Sequence, residues 1–231
     1  MIYQNIEQIR ERISIACREA GREPSEVTLL AVSKTFPSTA VGEAIGAGIL
    51  DIGENYVQEL LKKRESLPDP AIRWHFIGHL QSNKVKYLVG WISLIHAVDN
   101  FTLAEEINRR GAQSGRVVDI LMEVNTTNEA SKFGIRPEKA VGFVKALAGM
   151  DHISLKGLMT IGPFLPDPEG SRPMFRQLRM LKDEIALLGQ PNVHMKHLSM
   201  GMTGDFEVAI AEGATIIRVG TAIFGSRIRK D

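Results

Sequence analysis

The 231-residue sequence predicts an α/β fold, a single (β/α)8 barrel spanning 1–231 with an extra N-terminal helix. Three observations predict it. Short Val-, Ile- and Leu-rich runs alternate with longer helix-like segments about eight times. The runs are almost continuously apolar, as expected of parallel strands covered on both faces. The length suits one closed barrel better than two smaller domains. An open doubly wound sheet is the structural rival.

The chain opens on Ile6, Ile9, Ile13 and Ala16 at helical spacing with charges between them, an amphipathic helix that Gly21 ends. The strands then read in order. VTLLAVS begins at Val27, ILDIG at Ile49, RWHFIG at Arg73 and LIHAV at Leu94. VDILMEVN follows from Val118, ISLKGLMTI from Ile153, MKHLSM from Met195 and TIIRVG from Thr215. Pro37 and Ser38 open one intervening helix, Pro137 opens another, and Gly90, Gly111 and Gly189 fall near helix ends.

Composition excludes several function classes. Lys+Arg 28 against Asp+Glu 27 leaves a formal charge of +1, which gives no bulk electrostatic reason to bind nucleic acid or a membrane surface. No apolar run approaches a membrane span, and MIYQNIEQIRERI lacks the order of a signal peptide, so the expected location is cytoplasmic. The one cysteine, Cys17, sits on the first helix and reads as a small buried residue.

A barrel enzyme places its chemistry at the C-terminal ends of the strands. Lys34 stands there, directly after VTLLAVS. Partial burial lowers a lysine's pKa, and a neutral amine attacks an aldehyde to form an imine. Taken alone, the position is better explained by a lysine that merely snorkels to solvent at a strand end. In HLSMGMTGDFEVAI, a strand ending at Ser199 leads through Gly201, Thr203 and Gly204 into a helix, a turn that favours an anion. The plainer reading makes Thr203 or Asp205 an ordinary N-cap.

In TIIRVGTAIFG, Arg218 interrupts an apolar strand and shares a face with Ile216 and Gly220, so it needs a buried partner or ligand. Gly220 and Thr221 add room for close approach and a hydroxyl. These two segments follow strands seven and eight, where barrels commonly hold a phosphate, and Lys34 is next to them around a closed barrel. Asn55, Tyr56, His75, His79, Asn125 and Lys132 line the same rim. Both histidines read as structural, and no spacing suggests a metal site.

AVSKTFP, DIGENYVQE, WHFIGHLQSNK, SKFGI, GLMTIGP, HLSMGMTGD and IRVGTAIFG occur in one order along nearly the whole chain. With these motifs the sequence resembles the pyridoxal phosphate homeostasis protein family. The resemblance implies a barrel like the N-terminal domain of alanine racemase, the fold type III architecture for this vitamin B6 cofactor. It implies pyridoxal 5'-phosphate (PLP) on Lys34 as an internal aldimine. It also implies Ser199, Gly201, Thr203, Gly220 and Thr221 around the phosphate, Arg218 facing the pyridine nitrogen, and Asn55 and Met159 near the ring. Phe36 departs from the pattern, since many relatives have a second lysine there; Lys132 would then have to supply any second amine.

Catalysis is not expected. Racemisation needs an acid/base group on each face of the carbanion, and in fold type III racemases the second comes from a C-terminal domain for which no length follows Asp231. A guanidinium against the ring nitrogen also leaves it unprotonated and a weaker electron sink. The expected role is that of a monomeric carrier or regulator of intracellular PLP, affecting amino-acid and keto-acid pools and serving apo-enzymes. The alternatives are a weak PLP-dependent amino-acid racemase and a phosphosugar-processing barrel.

Overall fold

The computed structural model describes residues 1–127, 133–163 and 165–225. Eight strands form one closed parallel barrel in chain order: β1 (Thr28–Val32), β2 (Asp51–Glu54), β3 (Arg73–Phe76), β4 (Leu94–Val98), β5 (Val118–Glu123), β6 (Ile153–Met159), β7 (Val193–Ser199) and β8 (Ile216–Val219). β8 pairs back onto β1, with Leu30 opposite Arg218. Each predicted strand is present; β7 starts two residues before Met195, and β5 stops at Glu123, short of Asn125.

The helices are α1 (Ile2–Glu19), α2 (Ser38–Gly46), α3 (Val57–Ser66), α4 (Phe101–Ser114), α5 (Pro137–Ala146), α6 (Arg172–Ala186), α7 (Phe206–Ala211) and α8 (Thr221–Phe224). Between β3 and β4 the connection contains a 3-10 helix, Ser82–Tyr87. Gly111 lies in the last turn of α4, but Gly115, at φ 63°, is the residue that ends the helix. A Cβ at Gly111 would meet the carbonyl oxygens of His152 and Arg116 at 2.8 and 2.9 Å, so this glycine is needed for close packing.

Period-2 alternation divides the strand side chains between two cores. Leu30, Val32, Ile77, Leu94, Ala97, Leu121, Met159 and Ile216 fill the barrel interior. Ala31, Ile52, Ile95, Ile217 and Val219 point outward into the larger core beneath the helices. This explains why β2, β4 and β8 are buried along their whole lengths.

The extra helix braces the helices that follow β7 and β8. α1 buries Ile2, Ile6, Ile9, Ile13, Ala16 and Cys17 on one stripe and packs against α7 and α8. Asn5 Nδ2 donates to the Ile223 carbonyl at 2.9 Å, and the Arg12 guanidinium lies 4.4 Å from the Phe206 ring centroid. Just past the helix, Arg22 donates to the carbonyls of Ile210 and Ala214 at 2.9 and 2.8 Å. Among the described residues no helix is long and apolar enough to cross a membrane.

Candidate functional site

A cavity of about 500 Å³ opens at the C-terminal ends of the strands. Lys34, Asn55, Thr203, Arg218, Gly220 and Thr221 line it, and Val32, Ile77, Ile161, Leu165 and Met202 supply apolar walls. Residues separated by most of the chain therefore meet because β8 closes onto β1.

Lys34 follows Leu30 and Val32 on the inward-facing parity of β1 and is half-buried. It sits in a tight turn in which Phe36 N–H donates to the Ser33 carbonyl at 3.0 Å. The turn needs positive φ at its third position, and Thr35 supplies it at 70°, a strained value for a β-branched residue. Side chains from α3 hold both flanks of Lys34. Lys63 Nζ donates to Ser33 O at 2.7 Å and to Glu54 Oε1 at 2.5 Å, while Thr35 N–H donates to Glu59 Oε1 at 2.7 Å.

Arg218 is 5% exposed yet lines the cavity. Its Nη1 donates to Ser199 Oγ at 2.8 Å and its Nη2 to the Thr160 carbonyl at 2.8 Å. Burial pulls the guanidinium down to about 10, against the opposing fields of Glu123 and Asp205. Its partners are neutral oxygens, so among the described residues the inward charge is held without a direct ion pair.

The third wall comes from the loops after β7 and β8. Thr221 Oγ1 and Thr203 Oγ1 approach to 3.2 Å, joining the two loops at the rim. A Cβ at Gly220 would lie 3.2 Å from the Val32 carbonyl oxygen, so glycine lets this loop close against β1. Asp205 also lines the cavity, but Oδ1 accepts from Met202 N–H at 2.7 Å and Oδ2 from Ser171 Oγ at 3.0 Å. These bonds occupy its carboxylate in holding the loop.

The cavity does not gather every residue singled out in the sequence. Ser199 is fully buried beneath Arg218, and Met159 belongs to the interior core. Gly201, at φ 87°, serves packing, since a Cβ there would stand 2.6 Å from Ala209 Cβ. Tyr56 and His79 border a neighbouring cavity of about 430 Å³, and His79 stacks on Phe133 at 4.1 Å. The Asn125 carboxamide oxygen accepts from Thr127 N–H and Oγ1. Lys132 lies outside the described residues. Ile77 and Met202 were not identifiable beforehand as lining residues, because apolar wall positions carry no chemical signal distinct from core.

The fold and this site define a barrel of the alanine racemase N-terminal type: residues 4–228 match the family described as alanine racemase, N-terminal domain. The chain belongs to the pyridoxal phosphate homeostasis protein family. It is 47% identical to the pyridoxal phosphate homeostasis protein of Aquifex aeolicus, over 97% of each chain. Among solved structures, a protein described as unknown from Bifidobacterium adolescentis is 42% identical with a TM-score of 0.92, covering 96% of this chain and 94% of that one. PipY of Synechococcus elongatus, solved with PLP bound, is 34% identical with a TM-score of 0.85, covering 97% of this chain and all of that one (100%).

Proposed function

We propose that this chain carries PLP as a Schiff base on Lys34 and serves its homeostasis in the cytoplasm as a monomeric, one-domain carrier that supplies apo-enzymes. The observation that carries this reading is the meeting, in one cavity, of a lysine amine, a donor-only guanidinium and two joined threonine hydroxyls.

The residues fit the cofactor. Lys34 offers the amine for its aldehyde, and Thr203, Gly220 and Thr221 offer a hydroxyl-rich, sterically open edge for its phosphate. Asn55 Oδ1 is buried without a hydrogen-bond partner among the described residues, a cost that a bound polar ligand would relieve. Arg218 has only donors to present, which suits the lone pair of an unprotonated ring nitrogen. When bound, PLP supplies an electron sink, and an unprotonated ring makes that sink weak.

The carrier reading gains over a racemase on two counts. Among the cavity-lining residues, the titratable groups are Lys34, Arg218 and Asp205, and Asp205 is already committed to Met202 and Ser171. Among the described residues no second acid/base is thus poised there opposite Lys34. The chain is also 47% identical over 97% of its length to its Aquifex aeolicus relative, whereas its likeness to an alanine racemase of Clostridium difficile, at 14% identity, is one of fold alone.

Borohydride reduction of the PLP-loaded protein, followed by peptide mapping, tests the reading. The expected product is a reduced phosphopyridoxyl group on Lys34. Protein that takes up no PLP, or is labelled elsewhere, overturns it. Chiral analysis after incubation with L-amino acids separates carrier from racemase, and catalytic turnover would favour the latter.

A further inference from the structure

A file of hydrogen-bonded side chains crosses the barrel interior beneath the cavity. Asp51 on β2, His75 on β3, His96 on β4 and Ser199 on β7 lead in turn to Arg218 on β8. His96 and Ser199 are fully buried, and His75 and Arg218 nearly so. Such a core ordinarily holds branched aliphatic side chains, so a continuous polar file in it requires a reason.

The two ends fix which way each bond points. Arg218 can only donate, and it does so to Ser199 Oγ at 2.8 Å. Asp51 accepts, because hydrogen bonds from His75 and Arg73 outweigh burial and hold its carboxyl down at about 2. His75 therefore carries a proton on Nε2, 3.1 Å from Asp51 Oδ1. At the other end, Ser199 Oγ accepts from Arg218, and among its described partners His96 Nδ1, at 3.0 Å, is the one able to accept the hydroxyl's own hydrogen. His96 then bears its proton on Nε2 and donates to His75 Nδ1 at 2.9 Å. Each junction has one donor and one acceptor. Reversing the middle of the file requires a second proton on His75 and leaves the Ser199 hydroxyl hydrogen without its acceptor.

We propose that His96 and His75 are positioning residues for the cofactor site, forming a one-way hydrogen-bond relay that fixes Ser199 as the acceptor for Arg218. The relay holds the guanidinium so that its remaining N–H groups face the cavity and a ring nitrogen lone pair. This rests on the PLP reading, but the relay itself exists without cofactor. Neutral His96 is consistent with its surroundings, since burial, then His75, Arg218 and His197, all push its imidazole well below the usual range.

The direct test is side-chain 15N–1H correlation spectroscopy of histidine-labelled, cofactor-free protein at a pH of about 7.5, a value above the ordinary histidine range. The expected result is the neutral Nε2–H tautomer at both His75 and His96. An Nδ1–H tautomer at His96 overturns the relay, whether or not PLP binds.

The second test compares loaded variants. His96→Asn retains an acceptor toward Ser199 and keeps the wild-type absorption spectrum. His96→Leu removes it, shifts the chromophore band and weakens PLP about tenfold, the effect of one hydrogen bond. Ser199→Ala removes the acceptor of Arg218 itself, with little loss of volume, and shifts the band likewise. Unchanged spectra and affinity in both His96→Leu and Ser199→Ala overturn the positioning role. Wild-type protein that takes up no PLP overturns the cofactor reading instead.

Discussion

Lys63 on α3 donates its ammonium to the Ser33 carbonyl at 2.7 Å, so a buried charge fixes the backbone immediately before Lys34. The same ammonium meets Glu54 and Glu59, and Glu59 in turn accepts from Thr35 N–H. The backbone that carries Lys34 is thus held from behind the barrel wall. Burial pushes the Glu54 carboxyl upward against its bonds to Lys63 and Ser33, which marks the site as costly to leave half-paired.

Lys63→Met should therefore cost about 3–5 kcal/mol in urea unfolding, as breaking one side of a buried ion pair does. Lys63→Met combined with Glu54→Gln should recover more than half of that loss, because no uncompensated buried charge remains. A single-variant loss below about 1 kcal/mol would show that the pair holds little of the loop. In folded Lys63→Met protein, borohydride labelling of Lys34 should also fall.

Thr35 tests the other flank. Its side chain is exposed, so replacing it removes little packing, while its φ of 70° is a position glycine adopts without strain. Thr35→Gly should leave stability unchanged or raise it by up to about 1 kcal/mol. It should weaken PLP binding by loosening the turn that aims Lys34. A clear loss of stability would place the strain elsewhere.

Much of this arrangement was legible in the sequence, but unevenly. The eight strands were readable because each is a short apolar run bounded by turn residues, and Arg218 stood out because it interrupts one of them. His96 interrupts LIHAV in the same manner. Its role was hidden because its partners, His75 and Ser199, become neighbours only when the barrel closes. The Lys63 brace was harder still: an (i, i+4) Glu59–Lys63 pair on a helix ordinarily reads as a solvated face. Nothing local marks it as buried.

Phe36, where many relatives are expected to carry lysine, stacks on Phe224 of α8 with ring centroids 5.0 Å apart. The contact ties the Lys34 turn to the short helix that begins at Thr221. A double-mutant cycle of Phe36→Ala and Phe224→Ala should give a coupling of about 0.5–1.5 kcal/mol. A coupling near zero would mean that the two rings are adjacent without supporting one another. Phe36→Lys should lose this coupling.

Glu123, at the end of β5 and nearly buried, gives the protein a pH dependence of its own. Burial first, and then the negative charge of Asp99, push its carboxyl up to about 7, despite the opposing field of Arg218. In the unfolded chain it returns to about 4.5. Between those two values the folded protein holds a proton that the unfolded chain releases. The Glu123 contribution to stability therefore falls as pH rises through this window and levels off above it, by up to about 3 kcal/mol. The depressed His96 imidazole contributes with the opposite sign in wild type and variant alike. Glu123→Gln should remove this slope, so that the variant gains on the wild type steadily from the lower pH to the higher. Unfolding free energies measured across the window in cofactor-free protein decide the matter: parallel curves for wild type and variant would mean that the Glu123 carboxyl is already ionised in the folded state at the acid end.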